Sequence, residues 1–174
     1  MSWLKRFMRS DNNKLRQSAQ RLHHSVVEKA RTPDLYGEGL IPDTLEGRFH
    51  AIALYSGLLL PRLEKAGTEG RDLSRLLNDK IFDSFDAALR ETGVGDASIA
   101  RKIRKMGETF VGVGQAVALA LGSPDPGSAL TQTIERNAIA SGAGADKIAK
   151  TLLEDAVALS EATHDDILTG QLPW

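Results

Sequence analysis

A chain of 174 residues, 41% hydrophobic and 26% charged, is long enough for one domain with a real core and short for two. It has no cysteine, which excludes disulfides, thiolate catalysis and cysteine metal sites, and it has no apolar run of bilayer-spanning length. The net charge of −1 hides a split: residues 1–31 carry eight Lys or Arg against two acids, a net of +6, while residues 123–174 carry three against eight, a net of −5.

In chain order, residues 1–11 form a basic amphipathic segment in which Trp3 and Phe7 stand beside Lys5, Arg6 and Arg9. Its charges interrupt the apolar stretch and no small-residue cleavage site follows, so it is a poor signal peptide. It suits contact with an anionic membrane or a ribosome, or a short helix docked on the body, and charge alone does not choose between them. Residues 12–174 read as the domain proper. Asn12 or Asn13 is placed to cap a helix carrying Leu15, Ala19, Leu22 and Val26, which ends near Thr32-Pro33. Two prolines and two glycines make Pro33–Pro42 a loop.

Asp43 and Glu46 then have the spacing of a capping box ahead of a helix apolar nearly all round, which predicts a central, buried element. Pro61 inside it is expected to kink or divide it near Gly57. Gly67–Gly70 closes it. The next helix is expected from about Asp72 to Gly93, with Asp79, Asp83 and Asp86 on one face and Leu73, Leu77, Ile81 and Phe85 on another. After a Gly-Val-Gly turn, with Gly95 reversing the chain and Asp96 as cap, Ile99, Ile103, Met106, Phe110, Val113 and Val117 line one stripe of a further helix. Arg101, Arg104 and Lys105 lie opposite that stripe, with Lys102 on its flank. Helices near Ser128–Ala140 and Ala145–Ala162 and a last turn in the tail complete an all-α, bundle-like single domain of about six or seven helices.

No constellation of catalytic residues emerges. His23 and His24 are neighbours whose side chains diverge by about 100° on a helix, the other two histidines are isolated, and no Glu-x-x-His pair accompanies the aspartates, so no metal site and no cofactor is expected. There is neither a Gly-x-Ser-x-Gly elbow nor a three-glycine dinucleotide loop. The chain therefore reads as a non-enzymatic binder. Its basic face either pairs with Asp79, Asp83 and Asp86 across the turn or docks on RNA or an acidic partner, with Glu108 able to neutralise Arg104 or Lys105. DNA is not expected, since the overall charge is not basic and no helix-turn-helix pairing is evident. Val94, apolar between two glycines, and Tyr55 and Leu58, left over on the central helix, are the expected contacts for a client or partner.

Phe82-Asp83 and Asp86, the run Leu89-Arg90-Glu91-Thr92-Gly93-Val94-Gly95-Asp96, and Lys102-Ile103-Arg104-Lys105-Met106 with Phe110 together form a pattern. With Tyr36-Gly37 and Asp43-Thr44-Leu45-Glu46-Gly47-Arg48-Phe49 upstream, it resembles the ubiquinol–cytochrome c chaperone family, assembly factors for cytochrome b of respiratory complex III, over roughly Leu35 to Leu121. The chain departs from the family at Val111-Gly112-Val113-Gly114, where an aromatic and a basic residue are common. The resemblance implies a non-enzymatic chaperone that meets nascent or newly inserted cytochrome b during biogenesis of ubiquinol–cytochrome c reductase. It also implies a smaller protein as further partner, while the charged faces suit a ribosome or a membrane surface. The N-terminal residues are poor in serine and only briefly amphipathic, unlike a transit peptide, so the expected location is a bacterial cytoplasm, with peripheral contact to the inner membrane. The alternative is a peripheral membrane- or ribosome-binding adaptor without chaperone action, resting on residues 3–9 and 101–105.

Overall fold

A computed structural model describes the backbone of residues 2–91, 93 and 95–174, and the side chains of that range from residue 13 onward. The chain is all-α, and its described residues form seven α-helices: α1 Ser2–Ala30, α2 Leu45–Lys65, α3 Gly67–Glu91, α4 Asp96–Leu121, α5 Pro126–Arg136, α6 Gly142–Glu161 and α7 His164–Thr169. One 3-10 turn, Pro33–Leu35, interrupts the loop after α1, where Tyr36 and Ile41 make an isolated bridge. Among the described residues there is no strand.

Helix α2 is the centre. Every residue from Ala51 to Leu59 is buried, as its all-round apolar sequence predicts, and α1, α3, α4, α6 and α7 all pack on it. Burying a Leu or Phe side chain is worth about 1.5–3 kcal/mol, so this one helix organises much of the core. Pro61 lies inside α2, and the helix runs through it rather than dividing near Gly57. Neighbours on several sides hold the turn that proline weakens. The cap is Thr44, whose hydroxyl accepts from the Gly47 N–H at 3.1 Å. Asp43, expected as the cap, instead accepts from Arg48 Nε at 2.7 Å.

Helices α2, α3 and α4 run up, down and up, so α2 and α4 are parallel and pack closely where Gly57 meets Gly114. A Cβ on Gly57 would sit 2.9 Å from Val117 Cβ and 3.1 Å from Gly114 Cα. The α2–α3 corner is tighter than the sequence predicts. Ala66 ends α2, Gly67 takes φ +85°, and α3 begins there rather than near Asp72. A Cβ on Gly70 would lie 1.9 Å from the Leu63 carbonyl oxygen, so the glycines serve the corner and not a longer loop. Helix α1 is unbroken, so neither Asn12 nor Asn13 starts a helix; its Ala19, Leu22, Val26 and Ala30 stripe is fully buried. Helices α5 and α6 form a hairpin beside α4. The tail docks back on α1: Arg21 Nε donates to the Thr169 carbonyl, and Trp174 Nε1 donates to Ser25 Oγ at 3.0 Å.

Candidate functional site

Two grooves flank the α2–α4 pair, one at each end. The first lies at the α3–α4 corner. Gly93, at φ +74°, ends α3 with its N–H on the Arg90 carbonyl. Gly95 is the N-cap of α4 in ordinary extended geometry at φ −68°, so the reversal falls to Gly93. Asp96 is the first helical residue and makes no cap. Its carboxylate accepts from Arg90 at 2.7 Å, and Arg90 also grips Asp86 at 2.6 Å. These two carboxylates, Asp86 first, hold the Arg90 guanidinium pKa above its ordinary value. An aspartate in the first turn also complements the helix dipole.

The acidic and basic faces do not pair with each other. Asp79 and Asp83 are exposed, and Asp86 is taken by Arg90 from its own helix. Arg101, Lys102, Arg104 and Lys105 are all exposed and make no ion pair among the described residues; Glu108, one turn beyond Arg104 and Lys105, does not neutralise them either. The reason is the interface between the helices. Phe82 packs edge-on to Phe110 at 5.4 Å, and the apolar stripes that meet there turn the charged faces outward. Beside the cations is a cavity of about 340 Å³ lined by Leu45, Phe49, Leu89 and Met106, with Lys102, Lys105, Glu46 and His50 around it. Its floor is rigid: Phe49 packs edge-on to Phe85 at 5.2 Å and lies 6.3 Å from Phe110. Burial lowers the pKa of His50, against a smaller opposing pull from Glu46.

The second groove, of about 420 Å³, lies between the ends of α2, α4 and α6. Leu58, Pro61, Ala118, Leu121, Leu153 and Val157 line it. Val157 is 55% exposed, and Leu119, next in the chain to Ala118, is 76% exposed. Val111, 54% exposed, lies seven residues before Ala118 and therefore on the same side of α4. Composition concealed these three; the available signal was apolar residues off the α4 and α6 stripes.

Leu58 is thus at a groove, though 97% buried in its floor rather than presented. Tyr55 is not. It is 1% exposed, and its hydroxyl donates to Asp155 Oδ2 at 3.0 Å. Asp155 is also paired with Lys29 at 2.8 Å, and Trp174 packs edge-on to the Tyr55 ring at 5.7 Å. Burial, then the Asp155 carboxylate, pushes the phenol pKa well above its ordinary value. Tyr55 is therefore a core residue and no contact for a client. Val94 and the side chains of Trp3, Lys5, Arg6, Phe7 and Arg9 lie outside the described residues.

Residues 39–174 match the family model of the ubiquinol-cytochrome C chaperone. The chain belongs to that family. The match takes in α5, α6 and the tail, well beyond the motifs at the α3–α4 corner, and leaves out α1 and the first part of the loop that follows it. In fold the chaperone is similar to the crystal structure of the Cbp3 homolog from Brucella abortus, with a TM-score of 0.85 at 24% identity over 98% of this chain and 96% of that one. No curated protein sequence matches it. Family membership carries a chaperone role in assembly of ubiquinol–cytochrome c reductase and implies no catalytic chemistry. Among the described residues no helix is long and apolar enough to cross a membrane.

Proposed function

We propose that this chaperone binds newly made or newly inserted cytochrome b through the groove at the ends of α2, α4 and α6. The observation that carries the reading is chemical. Val157 stands exposed in an apolar trough floored by Leu58, Leu121 and Leu153, and Leu119 is exposed one residue along α4 from the trough's Ala118, on a protein whose other large apolar side chains are mostly buried. An apolar trough with an exposed valine at its rim and an exposed leucine nearby in the chain suits a membrane-protein segment that has left water but is not yet packed. Cytochrome b, the client that family membership points to, offers such segments. Arg62, at the same end of α2, is turned onto the Ala162 carbonyl at 2.9 Å, so of the two cations in the lining it is Lys65, exposed at the rim, that faces solvent. The chaperone meets this client at the inner membrane surface, where a protein of this kind reaches a segment before the reductase closes around it. The adaptor reading rests on Trp3, Lys5, Arg6, Phe7 and Arg9, whose side chains lie outside the described residues, and on the exposed cations of residues 101–105. The test uses photo-crosslinking side chains at Leu119 and Val157, with Asp79 as a control position, in cells making the reductase. Capture of cytochrome b from the first two and not the third supports the proposal; capture of soluble proteins alone overturns it.

A further inference from the structure

The groove at the other end of the α2–α4 pair calls for a different ligand. Its lining comes from the first turns of α2, residues 45–50, about 20 Å along the helix from Pro61 and the client trough. Four cations, Arg101, Lys102, Arg104 and Lys105, sit within five positions of α4, exposed and without an ion pair among the described residues. At spacings of three and four they destabilise one another. Exposed carboxylates at Asp79, Asp83 and Glu108 are not used to relieve them. Two of these cations, Lys102 and Lys105, border the cavity floored by Phe49, Leu89 and Met106. Unneutralised positive charge beside a preformed apolar hollow is complementary to one arrangement: an apolar side chain flanked by carboxylates.

We infer that this corner is a docking site for an acidic, amphipathic helical segment of a partner protein. An apolar anchor enters the hollow above Phe49 and Met106, and carboxylates on neighbouring turns meet Lys102 and Lys105. The alternatives fit the surface less well. Membrane-binding faces need apolar side chains that protrude, whereas Phe49 and Leu89 are buried and Met106 is half-buried in a concavity. Single-stranded RNA needs exposed rings on which bases stack, and Phe49 and Phe110 are buried while Phe82 is half-buried against Phe110. Among the described residues Glu46 is the one carboxylate lining the hollow, and it comes from α2 and not from the helix that bears the lysines. The inference is independent of the client reading, since it uses none of the residues of the other groove.

The experiment follows backbone NMR shifts of the full chain during titration with a short helical peptide carrying Leu or Phe at i and i+4 between glutamates. Counterparts with Gln or Lys in place of Glu, vesicles of phosphatidylcholine with phosphatidylglycerol, and poly(U) are titrated in parallel. The glutamate peptide is expected to saturate, shifting Leu89, Met106 and Thr109, and to bind more weakly as salt is raised. Lys102→Gln with Lys105→Gln is expected to weaken it roughly fivefold to tenfold, as loss of two solvent-facing charge pairs should. Lys102→Glu with Lys105→Glu is expected to prefer the lysine peptide, a reversal that a merely structural role would not produce. Equal binding of the glutamine peptide overturns the inference, as do tighter binding of vesicles or poly(U), or the same shifts on concentrating the protein alone.

Discussion

Asp155 shows how far apart in sequence the partners of one buried carboxylate can lie. It is held by Lys29 from α1 and by the Tyr55 hydroxyl from α2, while Trp174 covers the Tyr55 ring from the chain's last position. Tyr55→Phe removes one hydrogen bond to a charged group and should cost about 1–2 kcal/mol, near the lower end for such bonds because some water reaches the site. Lys29→Met leaves the carboxylate without its cation and should cost about 3 kcal/mol; both are read by urea denaturation. The phenol pKa of Tyr55 is raised, so its contribution is present below the unfolded value of about 10 and is lost as pH climbs beyond it. Tyr55→Phe should therefore flatten the alkaline limb of a stability–pH curve. His23 and His50 work in the opposite direction. Burial is the main cause lowering both, so their contribution is present above about 6.5 and is lost as pH falls below it. A variant with Gln at both positions should lose less stability than the wild type between neutral and mildly acidic buffer. None of this network was legible in the sequence. On a helical wheel Tyr55 is a surplus apolar residue on α2, and its partners Asp155 and Trp174 are 100 and 119 residues away.

Helix interiors were legible, because the apolar stripes carry them. Leu73, Leu77, Ile81 and Phe85 are buried on α3, as are Ile99, Phe110, Val113 and Val117 on α4, all as their spacing predicts. The ends were less legible, since a cap depends on which of several adjacent polar residues finds an N–H. Thr44 caps α2 where Asp43 was expected, because Asp43 has a stronger partner in Arg48. Glycines were legible as breaks and not as contacts. Gly114 lies in a run that departs from the family pattern, and its place opposite Gly57 gives the departure a packing role: two glycines let α2 and α4 approach. Gly57→Ala should push these helices apart, because Val117 Cβ and the Gly114 backbone stand in the way and neither can rotate aside. The expected cost is about 1–3 kcal/mol, as for other overpacked cores. Gly112→Ala, with open space around its Cα, is the matched control and should not destabilise. Equal melting temperatures for the two variants would show that the α2–α4 interface yields more readily than its geometry indicates.

At the scale of the whole molecule, the family pattern in the sequence drew attention to the α3–α4 corner, while the apolar trough lies at the far end of the same two helices. The corner was legible because its charges and glycines are adjacent in sequence. The trough was not, because α2, α4 and α6 each contribute residues that look ordinary alone. If the two grooves serve different ligands, they should separate in one experiment. Leu119→Asp with Val157→Asp places two carboxylates on a surface meant for apolar contact. Both positions are exposed, so folding stability should change by no more than about 0.5 kcal/mol. Co-purification of cytochrome b from detergent-solubilised membranes should nevertheless drop sharply, since an apolar segment gains nothing from burying a charge. Lys102→Gln with Lys105→Gln should leave that co-purification unchanged while weakening the acidic peptide. A loss of client with the lysine variant, together with a loss of peptide binding in the Leu119 and Val157 variant, would mean that the grooves act as one continuous surface. Retained client binding in the latter variant would move the client site away from the ends of α4 and α6 altogether.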